Sequence, residues 1–313
     1  MKIGIDISGG DHAPDANIDG VVLALKELPL DIVLVLIGDL DEINPKLEKQ
    51  TLDNNRVELV HASERVTMHD HPTTVIRKKT KSSISVGLNL LSNGEIDAFA
   101  STGNTGAMLV GSMYILNSSP GVIRPCITST LPTLNDGKTV LLDVGSNADC
   151  KPDVLYQFGV LGSVYSEFVY GINSPRVGLL NIGEEPTKGN AVSIEAHKLL
   201  AESNEINFVG NIESRDLFTN KADVIVCDGF TGNIVLKEAE GIYYLMKKRG
   251  IVDSYFSKFN YENYGGTPVL GVKGNVIIGH GFSNAKAVKN MIIHSCEVAK
   301  SKLSNRINEA FNN

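Results

Sequence analysis

Apolar runs of strand length, at residues 2–7, 31–37, 57–60, 97–101, 139–143, 176–181, 223–227 and 275–279, alternate with segments of helical period. The helical segments fall at 15–28, 72–92, 153–170, 190–203, 232–248 and 284–304. Such alternation restricts the chain to an α/β fold, a largely parallel sheet covered by helices. In that class ligands bind outside the carboxyl edge of the strands, so the residues that end each run matter most. Three runs end in turns rich in glycine and asparagine: Ala98-Phe99-Ala100 before residues 101–106, Leu179-Leu180 before Asn181-Ile182-Gly183-Glu184-Glu185, and Val224-Ile225-Val226 before residues 227–233. Glycine there lets backbone N–H groups approach an anionic oxygen, and the three turns are expected to belong to one active site.

A chain of 313 residues can build one large α/β domain or two lobes, and 42% hydrophobic with 21% charged residues describes an ordered globular enzyme. No apolar stretch approaches the roughly 18 residues of a transmembrane helix. The opening Met1-Lys2-Ile3-Gly4-Ile5-Asp6 reads as a first strand and not as a signal peptide, so a cytoplasmic location is expected. Cys126, Cys150, Cys227 and Cys296 form no C-x-x-C pair, which points to reduced thiols instead of zinc or dithiol chemistry. A net charge of -7, without a basic arm or aromatic signature, argues against nucleic-acid binding.

Residues 241–266 stand apart, with Tyr243, Tyr244, Tyr255, Phe256, Phe259, Tyr261 and Tyr264 beside the basic run Lys247-Lys248-Arg249. Val252, Tyr255, Phe256 and Phe259 have helical spacing, so a helix here would carry an apolar stripe. Packing on the core or on a second subunit is preferred over a membrane-surface placement. Either way, a surface excursion from the sheet is expected.

The turn Ser101, Thr102, Gly103, Asn104, Thr105 and Gly106 opens a helical stretch through Met108, Leu109 and Met113. Its N–H groups and the positive end of the helix suit phosphate, and a purely structural strand-to-helix loop is the equal alternative. In Glu184-Glu185-Pro186-Thr187-Lys188-Gly189-Asn190, Lys188 is placed to act as a point charge on phosphate or on a developing oxyanion. Its alternative is a surface ion pair with Glu184 or Glu185. In Asp228-Gly229-Phe230-Thr231-Gly232-Asn233, Asn233 offers an amide donor and Asp228 an orienting carboxylate, with capping and Asx-turns as the alternative. Cys227 closes an apolar run without an adjacent base and reads as a buried structural thiol. His280, between Gly279 and Gly281, is a proton donor, a phosphate contact or a loop-holding residue.

Two motifs are decoys. Gly137-Lys138-Thr139 resembles the end of a P-loop, but Pro132 stands where the first glycine belongs and a strand follows, so ATP binding has no support. His69-Asp70-His71, with His61 nearby, is too crowded beside Pro72 to make a metal site.

Together these segments closely resemble the bacterial phosphate acyltransferases of phospholipid synthesis, which use acyl-acyl-carrier-protein and phosphate. The likeness spans nearly the whole chain. It is carried by Gly9-Gly10-Asp11, the 101–106 turn, Arg124-Pro125, Leu141-Leu142-Asp143-Val144-Gly145, Gly178 through Glu185, Lys188-Gly189-Asn190, Cys227 through Asn233, and Tyr264-Gly265-Gly266. The resemblance implies a three-layer α/β/α fold like that of isocitrate dehydrogenases and phosphotransacetylases, with two lobes around a cleft, and a homodimer. It also implies one phosphate acyltransferase domain over residues 1–313, with 241–266 as a dimer or membrane-surface element. The implied reaction moves a long-chain acyl group from acyl-acyl-carrier-protein to inorganic phosphate, and the acyl phosphate feeds a membrane-bound glycerol-3-phosphate acyltransferase. No cofactor or metal is implied.

By the resemblance Lys188 and Asn233 are catalytic. Phosphate is itself the nucleophile, so the chemistry needs a cradle for a dianion and a donor to the thioester oxyanion. The 101–106 turn with Lys188 is assigned to phosphate, Asn181, Asp228 and Gly232 to the same binding role, and His280 to protonation of the departing thiolate. The chain departs from the family at Ser8, where methionine is usual, and in a shorter 240–264 segment, which leaves peripheral membrane attachment open. Because the carrier protein is acidic, the basic patches Arg77-Lys78-Lys79 and Lys247-Lys248-Arg249 are expected docking surfaces, the alternative being solvated helix faces. Rival readings are a phosphotransacetylase-like enzyme using coenzyme A, a nicotinamide-dependent dehydrogenase of related fold, and a non-catalytic membrane-recruited scaffold.

Overall fold

The computed structural model describes residues 1–50, 53–67 and 69–312. It divides into two compact units, one built from residues 1–118 and 261–302, the other from 119–260 and the last helix.

The first unit contains β1 (Lys2–Asp6), α1 (Asp15–Glu27), β2 (Val33–Gly38), α2 (Leu40–Leu47), β3 (Val57–His61), α3 (Pro72–Lys78), α4 (Ser83–Ser92), β4 (Ala98–Ser101) and α5 (Thr105–Gly111). The later residues add β10 (Gly266–Leu270), β11 (Val276–Gly279) and α9 (Ala285–Lys300). Its strands lie in the order β3-β2-β1-β4-β11-β10, parallel throughout except for β10 against β11. Strands β4 and β11 are buried at every residue, as expected of parallel strands covered on both faces. The close approach of α1 to α9 requires Gly20, where a methyl group would lie 2.5 Å from Val288 Cβ.

The second unit contains β5 (Cys126–Pro132), β6 (Lys138–Leu142), α6 (Pro152–Tyr170), β7 (Arg176–Leu180), α7 (Ala191–Glu202), β8 (Asn207–Ile212), β9 (Val224–Val226), α8 (Gly229–Lys248) and α10 (Leu303–Asn312). Here the order is β5-β6-β9-β7-β8, with an antiparallel β5–β6 hairpin and parallel pairs beyond it. Pro152 occupies the first turn of α6, where its missing N–H costs nothing, and Gly171 ends that helix in the left-handed region at φ 69°.

All the expected strands form. Unexpected are β5, β8 and β10, whose sequences CITSTLP, NFVGNI and GTPVL interrupt the apolar run with Ser, Thr, Gly or Pro. Two helical expectations are corrected. The segment 72–92 is not one helix, because it breaks after Lys78 and restarts at Ser82, whose hydroxyl accepts from Ser85 N–H and donates to Lys79 O. Residues 252–259 form no α-helix but a 3-10 turn, Phe256–Phe259, begun by Asp253 accepting from Phe256 N–H. Its rings cluster with Tyr255, and Phe259 meets Phe218 of the same unit at 5.3 Å between centroids. Among the described residues no helix is long and apolar enough to cross a membrane.

Candidate active site

In the first unit the chain runs from β1 outward to β2 and β3, then returns to place β4 on the other side of β1. The carboxyl ends of β1 and β4 therefore flank a topological switch point, the usual ligand position in open α/β sheets. The 101–106 turn begins at this point. Ser101 Oγ donates to Asp6 Oδ2 at 2.6 Å and accepts from Gly103 N–H at 2.9 Å. Asp6 Oδ1 accepts from Ser8 N–H, and burial raises the Asp6 pKa against the opposing pull of Ser101, Ser83 and two backbone N–H groups. Thr102 Oγ1 donates to Gly9 O at 2.9 Å, while Asn17 Nδ2 gathers the carbonyls of Asp6, Ile7 and Gly9. Gly10 lies at φ 96°, and a methyl group on it would come within 2.6 Å of Thr102 Oγ1.

The turn after β11 lies beside these two. Asp11 N–H donates to Gly281 O, and a methyl group on Gly279 would stand 2.7 Å from Thr102 Cγ2. The exposed His280 ring has Tyr261 at 5.1 Å and Phe282 at 5.5 Å between centroids. Phe282 N–H donates to His280 Nδ1 at 3.4 Å. Asn104 is occupied differently: its Oδ1 caps α5 at Ala107 N–H, and its Nδ2 donates to Thr67 O and Asp70 O. Thr105 is exposed and Gly106 packs on Pro72.

In the second unit β6, β9 and β7 are adjacent and parallel, so the loops carrying Asp143, Asn233 and Lys188 leave one edge of the sheet. Lys188 is exposed and makes no ion pair among the described residues. Of its two alternative partners, Glu184 pairs with Lys221 at 2.6 Å instead, and Glu185 makes no ion pair among the described residues. Asn181 braces the lysine loop, donating from Nδ2 to Lys188 O at 3.1 Å, and Gly189 at φ 99° admits that contact. Asp228 caps α8, accepting from Thr231 N–H and Thr231 Oγ1. Asn233, one turn further along α8, is half-buried and its amide takes no partner among the described residues. Gly232 lies against Asp143, where a methyl group would stand 2.0 Å from the Asp143 carbonyl oxygen.

Asp6, Asn17 and Asp143 have no role of their own in the sequence analysis, although Asp6 and Asp143 lie near the ends of apolar runs, three residues before Gly9 and two before Gly145. Cys227 is buried, and its pKa is driven well up by burial and then by Asp228 and Asp143, which suits a structural thiol. Burial first, then the same two carboxylates, pushes Cys150 up to about 12. Of the basic patches, Arg77 and Lys78 are exposed, whereas Lys79 is tied to Asp70 at 2.7 Å and to Arg65 O. Arg77 lies over the Tyr114 ring. Lys247 and Lys248 lie over Tyr243 and Tyr244, one turn back, and Arg249 is exposed.

A family model described as Fatty acid synthesis protein matches residues 1–249 and 244–306. The two stretches overlap inside the segment that reads as shortened. The phosphate acyltransferase of Pelotomaculum thermopropionicum is 44% identical over 328 aligned positions, which cover 99% of this chain and 93% of that one. The phosphate acyltransferase of Clostridioides difficile is 39% identical, with 99% and 96% covered. Among solved structures, the EutD phosphotransacetylase from Staphylococcus aureus shares the fold, with a TM-score of 0.64 at 16% identity over 96% of this chain and 94% of that one. With identity of this order along its whole length, the chain belongs to the phosphate acyltransferase family.

Proposed function

We propose that the chain transfers a long-chain fatty acyl group from acyl-acyl-carrier-protein to inorganic phosphate, giving acyl phosphate and free carrier protein. The observation that carries this reading is the full-length likeness to phosphate acyltransferases. A phosphate oxygen attacks the thioester carbonyl carbon, the C–S bond breaks once the C–O bond has formed, and the departing thiolate takes up a proton. Phosphate being the nucleophile, no enzyme thiol is required, in keeping with thiols that burial holds protonated.

Lys188 neutralises the incoming dianion, and the Asn233 amide donates to the oxyanion of the tetrahedral intermediate. The 101–106 turn, with Asn181 and Gly232 shaping their own loops, serves phosphate binding. His280, as an imidazolium, gives a proton to the leaving thiolate and is left as the neutral ring. Arg77 and Lys78, and separately Lys247, Lys248 and Arg249, attract the acidic carrier protein. The enzyme works as a cytoplasmic homodimer, with residues 241–266 at a dimer or membrane surface, and supplies a membrane-bound glycerol-3-phosphate acyltransferase.

The test mixes purified protein with labelled phosphate and either acyl-acyl-carrier-protein or acyl-coenzyme A, with and without Lys188→Ala. Acyl phosphate from the carrier thioester is expected, and the variant should lose about 100-fold in kcat or more. No acyl phosphate at any chain length overturns the reaction. Preference for coenzyme A reassigns the donor, and full activity in the variant overturns the role of Lys188.

A further inference from the structure

Asp143 is fully buried at the carboxyl end of β6, and no cation meets it among the described residues. Neutral donors surround it instead. Its Oδ1 accepts from Ile127 N–H at 3.1 Å, Ser146 N–H at 3.2 Å and Ser146 Oγ at 2.6 Å. Its Oδ2 accepts from Asn147 N–H at 2.6 Å and Asn147 Nδ2 at 3.0 Å. With both oxygens engaged and four of the five bonds coming from Ser146 and Asn147, the side chain fixes the 143–147 loop firmly.

That loop is the seat of α8. Asn147 O accepts from Gly229 N–H at 2.7 Å, and Asn147 Nδ2 also donates to Pro125 O at 2.8 Å. The Gly232 backbone rests on the Asp143 carbonyl, and a methyl group on Gly145 would lie 3.7 Å from Asn233 Oδ1. The first turn of α8, with Asn233 directly after it, is therefore held by the loop that the buried carboxylate organises.

We propose that Asp143 is a positioning residue for the Asn233 amide, acting through the 143–147 loop and without touching substrate; this rests on the reading of Asn233 given above. An amide in place of the carboxylate cannot serve as well. Whichever way an asparagine is turned, its NH2 faces N–H donors that now meet an oxygen.

The experiment is a double-mutant cycle on the full chain, with acyl phosphate formation from acyl-acyl-carrier-protein as readout. Asp143→Asn is expected to lower kcat by about tenfold or more while KM for the carrier stays within about twofold. In an Asn233→Ala background the same substitution should cost little, because the group it positions is already gone. Ser146→Ala removes one donor and leaves the carboxylate. It should show a smaller loss of kcat with the same background dependence, and it carries the test if Asp143→Asn does not fold. An equal cost in both backgrounds, or unchanged kcat, overturns the proposal. Full activity of Asn233→Ala alone overturns the reading of Asn233, a result obtained before Asp143 is altered.

Discussion

Two glycines in α8 should respond to alanine with opposite signs. Gly241 is exposed, and a methyl group there meets nothing within 4 Å. By helix propensity alone Gly241→Ala should stabilise the chain by about 0.5–1 kcal/mol. Gly232 receives the same propensity gain, but its methyl group would stand 2.0 Å from the Asp143 carbonyl oxygen and 2.9 Å from Cys227 Sγ. Neither contact is with the free end of a flexible side chain, so the helix start must move. Overpacking of this kind costs about 1–3 kcal/mol, and a contact against backbone belongs at the upper end, so the net loss for Gly232→Ala is about 2 kcal/mol. Urea titrations of both variants measure the difference. In thermal unfolding it corresponds to a midpoint lowered by roughly 4–8 °C for Gly232→Ala and raised by a few degrees for Gly241→Ala. Displacing the first turn of α8 also moves Asn233, so kcat should fall in Gly232→Ala and stay unchanged in Gly241→Ala. A Gly232→Ala protein as stable and as active as the parent would refute the argument that this helix start is seated on the Asp143 carbonyl.

Arg56, nearly fully buried, donates to the carbonyls of Leu25, Leu28, Ile32 and Pro29 and so closes the end of α1. Its two fully buried bonds, at about 1.5 kcal/mol each, predict a loss of about 3 kcal/mol for Arg56→Met in a denaturant titration, with kcat unchanged in the folded fraction. The hydrogen bond from Lys79, then that from Thr67 N–H, holds the Asp70 pKa down to about 2. A depressed carboxyl stabilises the folded chain above its unfolded value, near 4, and that contribution fades as pH falls toward 2. An NMR titration should place the Asp70 midpoint near 2 and return it to the ordinary range in Lys79→Met. Lys79 being occupied, Lys79→Met should leave KM for the carrier unchanged at low salt, whereas charge reversal of Arg77 and Lys78 should raise it.

The fold was legible wherever one physical signal dominated. Runs such as Ala98-Phe99-Ala100 and Val276-Ile277-Ile278 are buried on both faces and read as strands by composition alone. Strand β5 was not, because Thr128 and Thr130 occupy buried positions that the hydropathy pattern assigns to solvent. The break between α3 and α4 involves neither glycine nor proline. It is made by Ser82, whose hydroxyl competes for backbone groups, and such caps are hard to separate from ordinary helix serines without knowing which N–H is free. The roles of Asp6 and Asp143 were hidden for a different reason. Asp6 meets Ser101, and Asp143 meets Ile127, only through strand pairing, which the local donors Ser8, Ser146 and Asn147 do not announce.

The turns that first drew attention to function turn out to do two jobs with different residues. Asn104, Asn190, Asp228 and Asn284 each accept from the N–H three residues on, so their side chains are consumed in starting α5, α7, α8 and α9. A polar residue at the cap of such a turn is thus committed before substrate arrives, and what it offers a ligand is the backbone arrangement it enforces. Lys188 and Asn233 escape this commitment by position. Lys188 precedes the cap Asn190 by two residues, and Asn233 follows the cap Asp228 by five, beyond the reach of the orphan N–H groups of the first turn. In these two loops, side chains just outside the capping positions are the ones not used in starting a helix. The same spacing rule explains why Asp228, although charged and at the sheet edge, is better suited to holding Asn233 in place than to contacting phosphate.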